Sequence, residues 1–253
     1  MPDTTTELVH YDVADRIATI TLDSPHNRNA LSRQLVTELL DRLARADQDP
    51  DVLVVLLKSS GRVFCSGADL SEASTTPMEE GARAMVAMQR AIVALGKPVV
   101  TVVVGAARAG GIGIVAASDI VLTAEDATFA LTEVKLGLTP AVISLTVMAR
   151  LTPRAAAQTA LGGEVFTGAA AVAMGLVTEA VPADRLDALV AERCGQLTTG
   201  AAQGLRETKA LLAGPLLERI DAGADEMVAL SARLFGSDEA REAMVAFLNR
   251  KKA

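Results

Sequence analysis

The chain has 253 residues, of which 50% are apolar and 2% aromatic, and it carries a formal net charge of −7. This length allows one large domain or two modest ones with an aliphatic core, and the acidic balance argues against nucleic acid as the main partner. The two cysteines lie far apart and only two histidines occur, which argues against a disulfide framework or a His-rich metal site and favours a reducing cytoplasm.

The first half of the chain alternates strand-like and helical segments. Residues 16–23 alternate apolar and polar side chains, which predicts a half-buried strand, and Ser32 is placed to cap a helix through about Ala46. Continuous apolar runs at 52–58 and 97–105 predict strands that are covered on both faces. Further periodic segments predict a helix over 79–95 and two short strands within 119–133.

From about Ala141 the sequence predicts helices almost throughout, with one short strand at 176–181. Helix breaks are expected at Pro153, Gly162–Gly163, Pro182, Gly200 and Pro215. Together the two halves predict an α/β core followed by a helical extension. No apolar run is long enough to span a membrane, and the polar N-terminus lacks the apolar segment of a signal peptide.

The segment AARAGGIGIVAASDI (106–120) concentrates three glycines, Gly110, Gly111 and Gly113, in an apolar run. It is not a Walker loop, because Gly111 stands where a lysine is required, and it does not match G-x-G-x-x-G. Two interpretations remain open. The glycines allow close packing, or they mark a helix N-terminus whose free N–H groups attract developing negative charge.

The segment FCSGADL (64–70) has a similar character. Cys65 has no histidine near it in the sequence and is predicted to be a buried thiol, and Ser66 lacks the surroundings of a nucleophile elbow. Two strand-to-helix turns, at Ala68 and at Gly110, could aim two backbone N–H groups at one point. Such a pair would form an oxyanion hole.

Four segments follow one another in a characteristic order: PHNRNALS (25–32), GRVFCSGADL (61–70), KPVVTVVVGAARAGGIGIVAASDIVLTAEDATF (97–129) and LTEVKLGLTPAVIS (131–144). The set closely resembles the enoyl-CoA hydratase/isomerase family, the crotonase superfamily, and the resemblance covers nearly the whole chain. It implies an α/β crotonase fold, a spiral of ββα units with a C-terminal helical region. The implied division is a core over 1–195 and a helical region over 196–253 that serves trimerisation and covers CoA.

The resemblance also implies which groups act. Ala68 and Gly110 match the two amides that hold the thioester oxygen of an acyl-CoA, and Ala109 replaces the first residue of the family's usual Gly-Gly-Gly. Of the two glutamates that hydratases usually use, one falls on Gly113, so its carboxylate is absent. The other is Glu133, the implied general acid/base, although the residues alone predict an exposed carboxylate at a helix start.

The single carboxylate by itself slightly favours an isomerase, but GIGIVAASDI (111–120) and LTEVKLGLTPAVIS (131–144) resemble a branch of hydratases that also carries glycine at position 113. The resemblance therefore implies an enoyl-CoA hydratase that adds water to a 2-enoyl-CoA in fatty acid β-oxidation. The alternatives are a Δ3-Δ2 enoyl-CoA isomerase, for which one base suffices, and a non-catalytic homologue that binds acyl-CoA. No metal or redox cofactor is expected, because coenzyme A enters as part of the substrate. A homotrimer or a dimer of trimers is implied.

The resemblance further implies contacts with substrate or CoA, at Arg28, Ala30, Ser66, Ala68, Asp69, Leu70, Gly110, Phe247 and Lys251. A solvated tail is the alternative for Lys251 and Lys252. Arg108 replaces a usual apolar residue and is expected at the surface or an interface. Asp119 is expected to be structural, through capping or a turn.

Overall fold

The computed structural model describes residues 6–69, 71–72 and 77–250, with side chains through residue 246. Within these residues the strands form two sheets. The larger has the order β1-β2-β3-β5-β7-β10 and the smaller the order β4-β6-β8-β9. The strands are β1 (Val9–Ala14), β2 (Ile17–Leu22), β3 (Val54–Ser59), β4 (Val63–Cys65), β5 (Val99–Val103), β6 (Ala106–Arg108), β7 (Ile120–Ala124), β8 (Thr128–Ala130), β9 (Phe166–Thr167) and β10 (Glu179–Val181).

Helices cover these sheets and make up most of the second half of the chain. They are α1 (Arg33–Gln48), α2 (Met78–Ala94), α3 (Gly110–Ala117), α4 (Ala141–Arg150), α5 (Pro153–Gly162), α6 (Gly168–Met174), α7 (Leu186–Thr198), α8 (Ala202–Phe235) and α9 (Asp238–Arg250). Short 3₁₀ turns include Pro25–Asn27 and Glu133–Leu136. Among the described residues, no helix is both long and apolar enough to cross a membrane.

The chain repeatedly gives one strand to each sheet before it forms a helix. β3, β4 and α2 make one such ββα unit, and β5, β6 and α3 make the next. Parallel pairing of β3 with β5 and of β4 with β6 follows from this repeat. Because β4 and β6 are parallel neighbours, the two segments that follow them emerge side by side at the same sheet edge.

Local sequence signals explain most element boundaries. The Ser32 side chain accepts a hydrogen bond from the Leu35 N–H and so begins α1, whose Leu35, Leu39 and Leu43 are buried at helical spacing. The buried strand β5 has no exposed residue, as its continuous apolar run predicted.

The local structure differs from what the sequence predicted at three places. The polar segment around His10 forms β1, because its backbone pairs with β2 in an antiparallel ladder. The second half holds one more strand than expected, β9, which pairs with β8. Pro215 does not break a helix but lies inside the 34-residue α8, where buried Ala213 and Leu216 hold both sides of it against the core.

A buried ion pair anchors α8 to the α/β core. Lys209 is 4% exposed, and its Nζ lies 2.8 Å from Oδ2 of Asp119. The same Nζ donates to the backbone carbonyls of Ile92 and Lys97. Asp119 is therefore structural as expected, but through this pair and through the Val99 N–H that it accepts rather than through capping. The anchor fixes α8 against α2 and α4, where its later residues reach the site described next.

Candidate active site

Two backbone turns meet where β4 and β6 end. Leu31 and Ala68 form a parallel bridge, in which the Leu31 N–H donates to the Gly67 carbonyl at 2.8 Å. In this pattern the N–H of Ala68 points away from Leu31. Gly110 begins α3, so its N–H has no acceptor within the helix. Both N–H groups are therefore free to bind a ligand, Gly110 at a helix start and Ala68 in a bridge that follows β4.

Glycines let these two turns approach each other closely. A Cβ on Gly67 would lie 2.9 Å from the Cβ of Ala109, and a Cβ on Gly111 would lie 2.7 Å from the Cβ of Cys65. Each turn therefore places a glycine against a side chain of the other. Close packing therefore accounts for Gly111 in the glycine cluster, whereas the donor role of the Gly110 N–H stays a prediction.

Ala109 adopts a backbone conformation that glycine normally takes. Its φ is 45° and its ψ is −118°, immediately before the N–H of Gly110. Residues with a Cβ hold such a conformation only when the surrounding structure enforces it, at a cost of about 1–3 kcal/mol. Ala109 thus holds a positive φ directly before the N–H of Gly110 and next to Gly67 of the other turn.

Glu133 lies beside these turns, in the 3₁₀ turn that follows β8. Burial is the main cause that raises the pKa of its carboxyl to about 7, and a hydrogen bond from its own backbone lowers it in part. Its Oε2 atom is buried and has no hydrogen-bond partner among the described residues. The expectation of an exposed carboxylate at a helix start is thus wrong. Glu133 can instead exchange a proton near neutral pH.

A cavity of about 140 Å³ brings Ala68, Gly110 and Glu133 together. Asp69 and Glu72 also line it, but both accept hydrogen bonds, from Ser71 and Asn27 and from the Arg33 N–H respectively. Burial tends to raise the pKa of Asp69, yet these bonds from Ser71 and Asn27 hold it below its ordinary value. Glu133 is therefore the lining carboxylate that is suited to accept a proton.

The rest of the cavity wall is mostly apolar and comes from three helices. Its members include Met78, Ala82 and Met85 of α2, Val142 and Ile143 of α4, and Ser231 and Phe235 of α8. Helical periodicity predicted that one face of α2 is apolar but not which surface it meets. Nothing in the sequence indicated that α8, more than 160 residues after Ala68, contributes to the same cavity.

Gly113 does not line this cavity, because neighbouring side chains fill the space next to it. A Cβ there would lie 2.7 Å from Cγ2 of Ile143 and 3.2 Å from Oε1 of Gln89. Gln89 is 1% exposed, donates to the carbonyls of Met85 and Val142, and accepts from the Thr146 hydroxyl at 2.6 Å. The place of the absent glutamate is thus a closed, fully hydrogen-bonded part of the core.

Of the other residues predicted to contact substrate or CoA, one lines the cavity, three do not, and three cannot be placed because they or their side chains lie outside the described residues. Arg28 is exposed in a left-handed turn, Ala30 is buried, and the Ser66 hydroxyl donates to the Asn27 carbonyl. None of these three lines the cavity, whereas Asp69 does. Leu70, Lys251 and Lys252 lie outside the described residues. Phe247 belongs to α9, but its side chain lies outside the described part.

Cys65 and Arg108 flank the site without facing the cavity. Burial raises the pKa of the Cys65 thiol to about 12, which agrees with an inert thiol. The Arg108 guanidinium donates to the carbonyl and hydroxyl oxygens of Thr128 and so joins β6 to β8. It is half-buried rather than free at the surface. Among the described residues, no cluster of three His, Cys, Asp or Glu side chains could hold a metal ion.

Comparison with known proteins identifies the family and the fold of the chain. The family model described as enoyl-CoA hydratase/isomerase matches residues 12–253. The chain belongs to the enoyl-CoA hydratase/isomerase family. The predicted crotonase fold is confirmed by solved structures of this family, which match over nearly the whole chain.

Two of these structures are similar to different degrees. An enoyl-CoA hydratase from Mycobacterium avium is 44% identical, with a TM-score of 0.91 over 97% of this chain and 98% of that one. Another, from Mycobacterium avium subsp. paratuberculosis K-10, is 32% identical, with a TM-score of 0.86 over 96% of each chain. The peroxisomal Delta(3,5)-Delta(2,4)-dienoyl-CoA isomerase of Arabidopsis thaliana is 29% identical over 98% of this chain and 95% of its own. The family relatives thus include both a hydratase and an isomerase.

Proposed function

We propose that the protein is an enoyl-CoA hydratase that adds water to 2-enoyl-CoA thioesters with one carboxylate. The observation that carries this proposal is that Glu133, whose buried Oε2 has no hydrogen-bond partner among the described residues, lines the same cavity as Ala68 and Gly110. The apolar wall of the cavity suits an aliphatic acyl chain. The hydratases among the solved structures support the same activity.

In the proposed reaction, the thioester oxygen accepts hydrogen bonds from Ala68 and Gly110. Water attacks C3 while ionised Glu133 takes one of its protons, and the electrons of the double bond move toward the thioester oxygen as an enolate. Protonated Glu133 then gives that proton to C2, so that the net change is addition of one water. Each backbone donor stabilises the developing charge by about 3–4 kcal/mol.

The remaining partners and the setting of the protein belong to the same proposal. CoA contacts would come from Arg28, Ala30, Ser66, Asp69 and Leu70, with Phe247 and Lys251 from the C-terminal helix. No metal or redox cofactor takes part, and the setting is β-oxidation in the cytoplasm. The core over 1–195 and the helical region over 196–253 stay a predicted division.

A homotrimer or a dimer of trimers would cover large apolar side chains that are exposed in the single chain. Leu161, Val165, Leu211 and Leu212 are between 61% and 80% exposed. Sedimentation equilibrium distinguishes the two assemblies by mass, and a monomer would contradict both.

One assay tests the activity. Crotonyl-CoA and a 3-enoyl-CoA are each incubated with the purified protein, and enoyl absorbance is followed. We expect loss of absorbance with crotonyl-CoA, and loss of this activity in Glu133→Gln with thioester binding retained in calorimetry. Glu192→Gln is the matched control, since Glu192 is exposed on α7 and pairs with Arg193. Full activity in Glu133→Gln would overturn the mechanism.

An isomerase is the second candidate, because one observation favours it. Moving a proton between C2 and C4 needs only one base, and Gly113 leaves one carboxylate without a second. The Arabidopsis thaliana relative is a dienoyl-CoA isomerase. A rise of conjugated absorbance from the 3-enoyl-CoA without hydration of crotonyl-CoA would decide for the isomerase. Binding without turnover of either substrate would show a non-catalytic acyl-CoA binder.

A further inference from the structure

The Glu133 carboxylate is buried but accepts no hydrogen bond from another side chain among the described residues. Its Oε2 has no partner among the described residues, and the hydrogen bond that affects its pKa comes from its own backbone. The carboxylate is therefore only as well placed as the short 3₁₀ turn, Glu133–Leu136, on which it lies. The contacts that hold this turn therefore fix the position of the Glu133 carboxylate.

The turn is held from two sides. On one side the Lys135 Nζ donates to the carbonyl of Gly163 at 2.5 Å, at the end of α5. On the other side Gly137, with φ of 66°, closes the turn through its N–H on the Glu133 carbonyl. A Cβ on Gly137 would lie 3.2 Å from both Cα and N of Ala240. The backbone of α9 thus lies directly against the end of the turn.

The first turn of α9 is itself fixed at this place. Ala240 is fully buried, at 0% exposure. The Ser237 hydroxyl accepts a hydrogen bond from the Ala240 N–H at 3.2 Å and donates to the Leu234 carbonyl at 2.7 Å. Leu234 lies near the end of α8, next to Phe235 in the cavity wall. One continuous set of contacts therefore runs from the cavity wall through Ser237 and Ala240 to the turn of Glu133.

We propose that the first turn of α9, capped by Ser237 and packed through Ala240 on Gly137, is the positioning element for the Glu133 carboxylate. Ser237 and Ala240 are positioning residues, since they act through the turn and do not line the cavity. The inference rests on the proposed role of Glu133 as acid and base. It gives the C-terminal helix a task in proton transfer that is separate from assembly or from covering CoA.

Charged side chains on the turn of Glu133 and on α9 do not account for the raised pKa of Glu133. Lys135 is engaged with the Gly163 carbonyl, and Asp238 pairs with Arg241 at 2.8 Å. Glu239 is exposed, and no charged group is among the causes that shift the pKa of Glu133. Loosening α9 should therefore act on Glu133 by admitting water and by moving the turn.

The first test removes the cap of α9 in the full-length chain by Ser237→Ala. We expect kcat to fall by about 10- to 100-fold through misplacement of the carboxylate, with KM for the thioester little changed. The pH at which kcat/KM rises should move from about 7 toward 4.5, the ordinary value for glutamate. Thr167→Ala is the matched control, because Thr167 caps α6 by accepting the Ala170 N–H at 3.2 Å. This control should keep the kcat and the pH profile of the unchanged protein.

A second pair of variants keeps the test decisive if Ser237→Ala is too mild. Ala240→Val adds bulk at a buried position and should displace α9, whereas Ala240→Gly keeps the backbone contact with Gly137 and should preserve kcat. Unchanged kcat and pH profile in both Ser237→Ala and Ala240→Val would overturn the proposal. An equal loss of kcat in Thr167→Ala would overturn it as well, by showing a general effect of lost capping.

A direct titration separates this inference from the proposed function. Carbon-13 NMR of glutamate-labelled protein, with Glu133→Gln to assign the signal, gives the pKa of Glu133 without turnover. A lower pKa in Ser237→Ala than in Thr167→Ala supports the positioning role even if neither thioester is converted. Turnover with an unchanged pKa of Glu133 in both Ser237→Ala and Ala240→Val would leave the function standing and reject the inference.

Discussion

The buried polar groups next to Gly113 and at Glu133 differ in their hydrogen bonding, and we call the region around Gly113 the closed side and the cavity at Glu133 the open side. Next to Gly113, Gln89 is enclosed and both ends of its amide are hydrogen-bonded, so this region is closed and well satisfied. Glu133 is also largely buried and lines a cavity, but its Oε2 has no hydrogen-bond partner among the described residues. A satisfied buried group stabilises a fold, whereas an unsatisfied one that can meet a ligand is available for chemistry.

The largest expected effect on kcat comes from removing the carboxylate of Glu133, and a new carboxylate at position 113 should not replace it. Glu133→Gln should lower kcat by about 10²–10⁴-fold, because it removes the general acid/base. The double variant Gly113→Glu/Glu133→Gln should be no more active, since position 113 does not reach the cavity. Steady-state kinetics measure both. Recovery of activity in the double variant would show that the two positions are interchangeable.

Gly113→Glu alone should lower the free energy of unfolding and leave the kcat of the folded protein nearly unchanged. Its Cβ would lie 2.7 Å from Cγ2 of Ile143, and its side chain would enter space that Ile143 and Gln89 already fill. We expect the free energy of unfolding to fall by about 3 kcal/mol or more. Thermal unfolding monitored by circular dichroism should show Tm lowered by about 6–12 °C. An unchanged Tm would mean that the closed region can open at little cost.

The free energy of unfolding should depend on pH through the ionisation of Glu133 on the open side. Because burial raises the pKa of Glu133 from 4.5 to about 7, folding favours its protonated form. This contribution to stability is complete below pH 4.5 and is lost as the pH rises through about 7. Urea unfolding between pH 5 and 8 should therefore show the unchanged protein losing stability relative to Glu133→Gln, by about 3 kcal/mol in total. Parallel curves for the two proteins would contradict the raised pKa.

Activity should follow the same ionisation in the opposite direction. The reaction starts with ionised Glu133, so kcat/KM should increase as the pH rises through about 7. A profile that is flat from pH 5 to 8 would rule out Glu133 as the initial proton acceptor.

The smallest effect is expected from the hydrogen bonds of the closed side. Thr146→Val removes the hydroxyl that donates to Gln89 and leaves a buried acceptor unpaired. The free energy of unfolding should fall by about 1–3 kcal/mol, with kcat nearly unchanged. Thr159→Val is a matched control, because the buried hydroxyl of Thr159 donates to the Ala155 and Ala156 carbonyls of its own helix. A large loss of kcat in Thr146→Val would show that the closed region also supports the reaction.

The comparison also shows which parts of the site could be predicted. Glu133, Ala68 and Gly110 were selected because short motifs around them resemble those of a family, and the structure brings all three to one cavity. The burial of Glu133 could not be predicted, because Val134 and Lys135 beside it are exposed and the local segment is that of a surface turn. The contact of α9 with Gly137 joins residues about 100 positions apart, so no local pattern reports it.

The sequence by itself determined the alternation of strands and helices, the buried runs of β3 and β5, and the cap of α1. These depend on periodicity and on side chains next to one another in the chain. Only the tertiary structure decided that Gly113 is closed off by Gln89 and Ile143 and that Pro215 stays within α8. It also decided that Oε2 of Glu133 is buried without a hydrogen-bond partner among the described residues. Burial and desolvation depend on neighbours that are distant in sequence, and these neighbours set the pKa on which the proposed reaction depends.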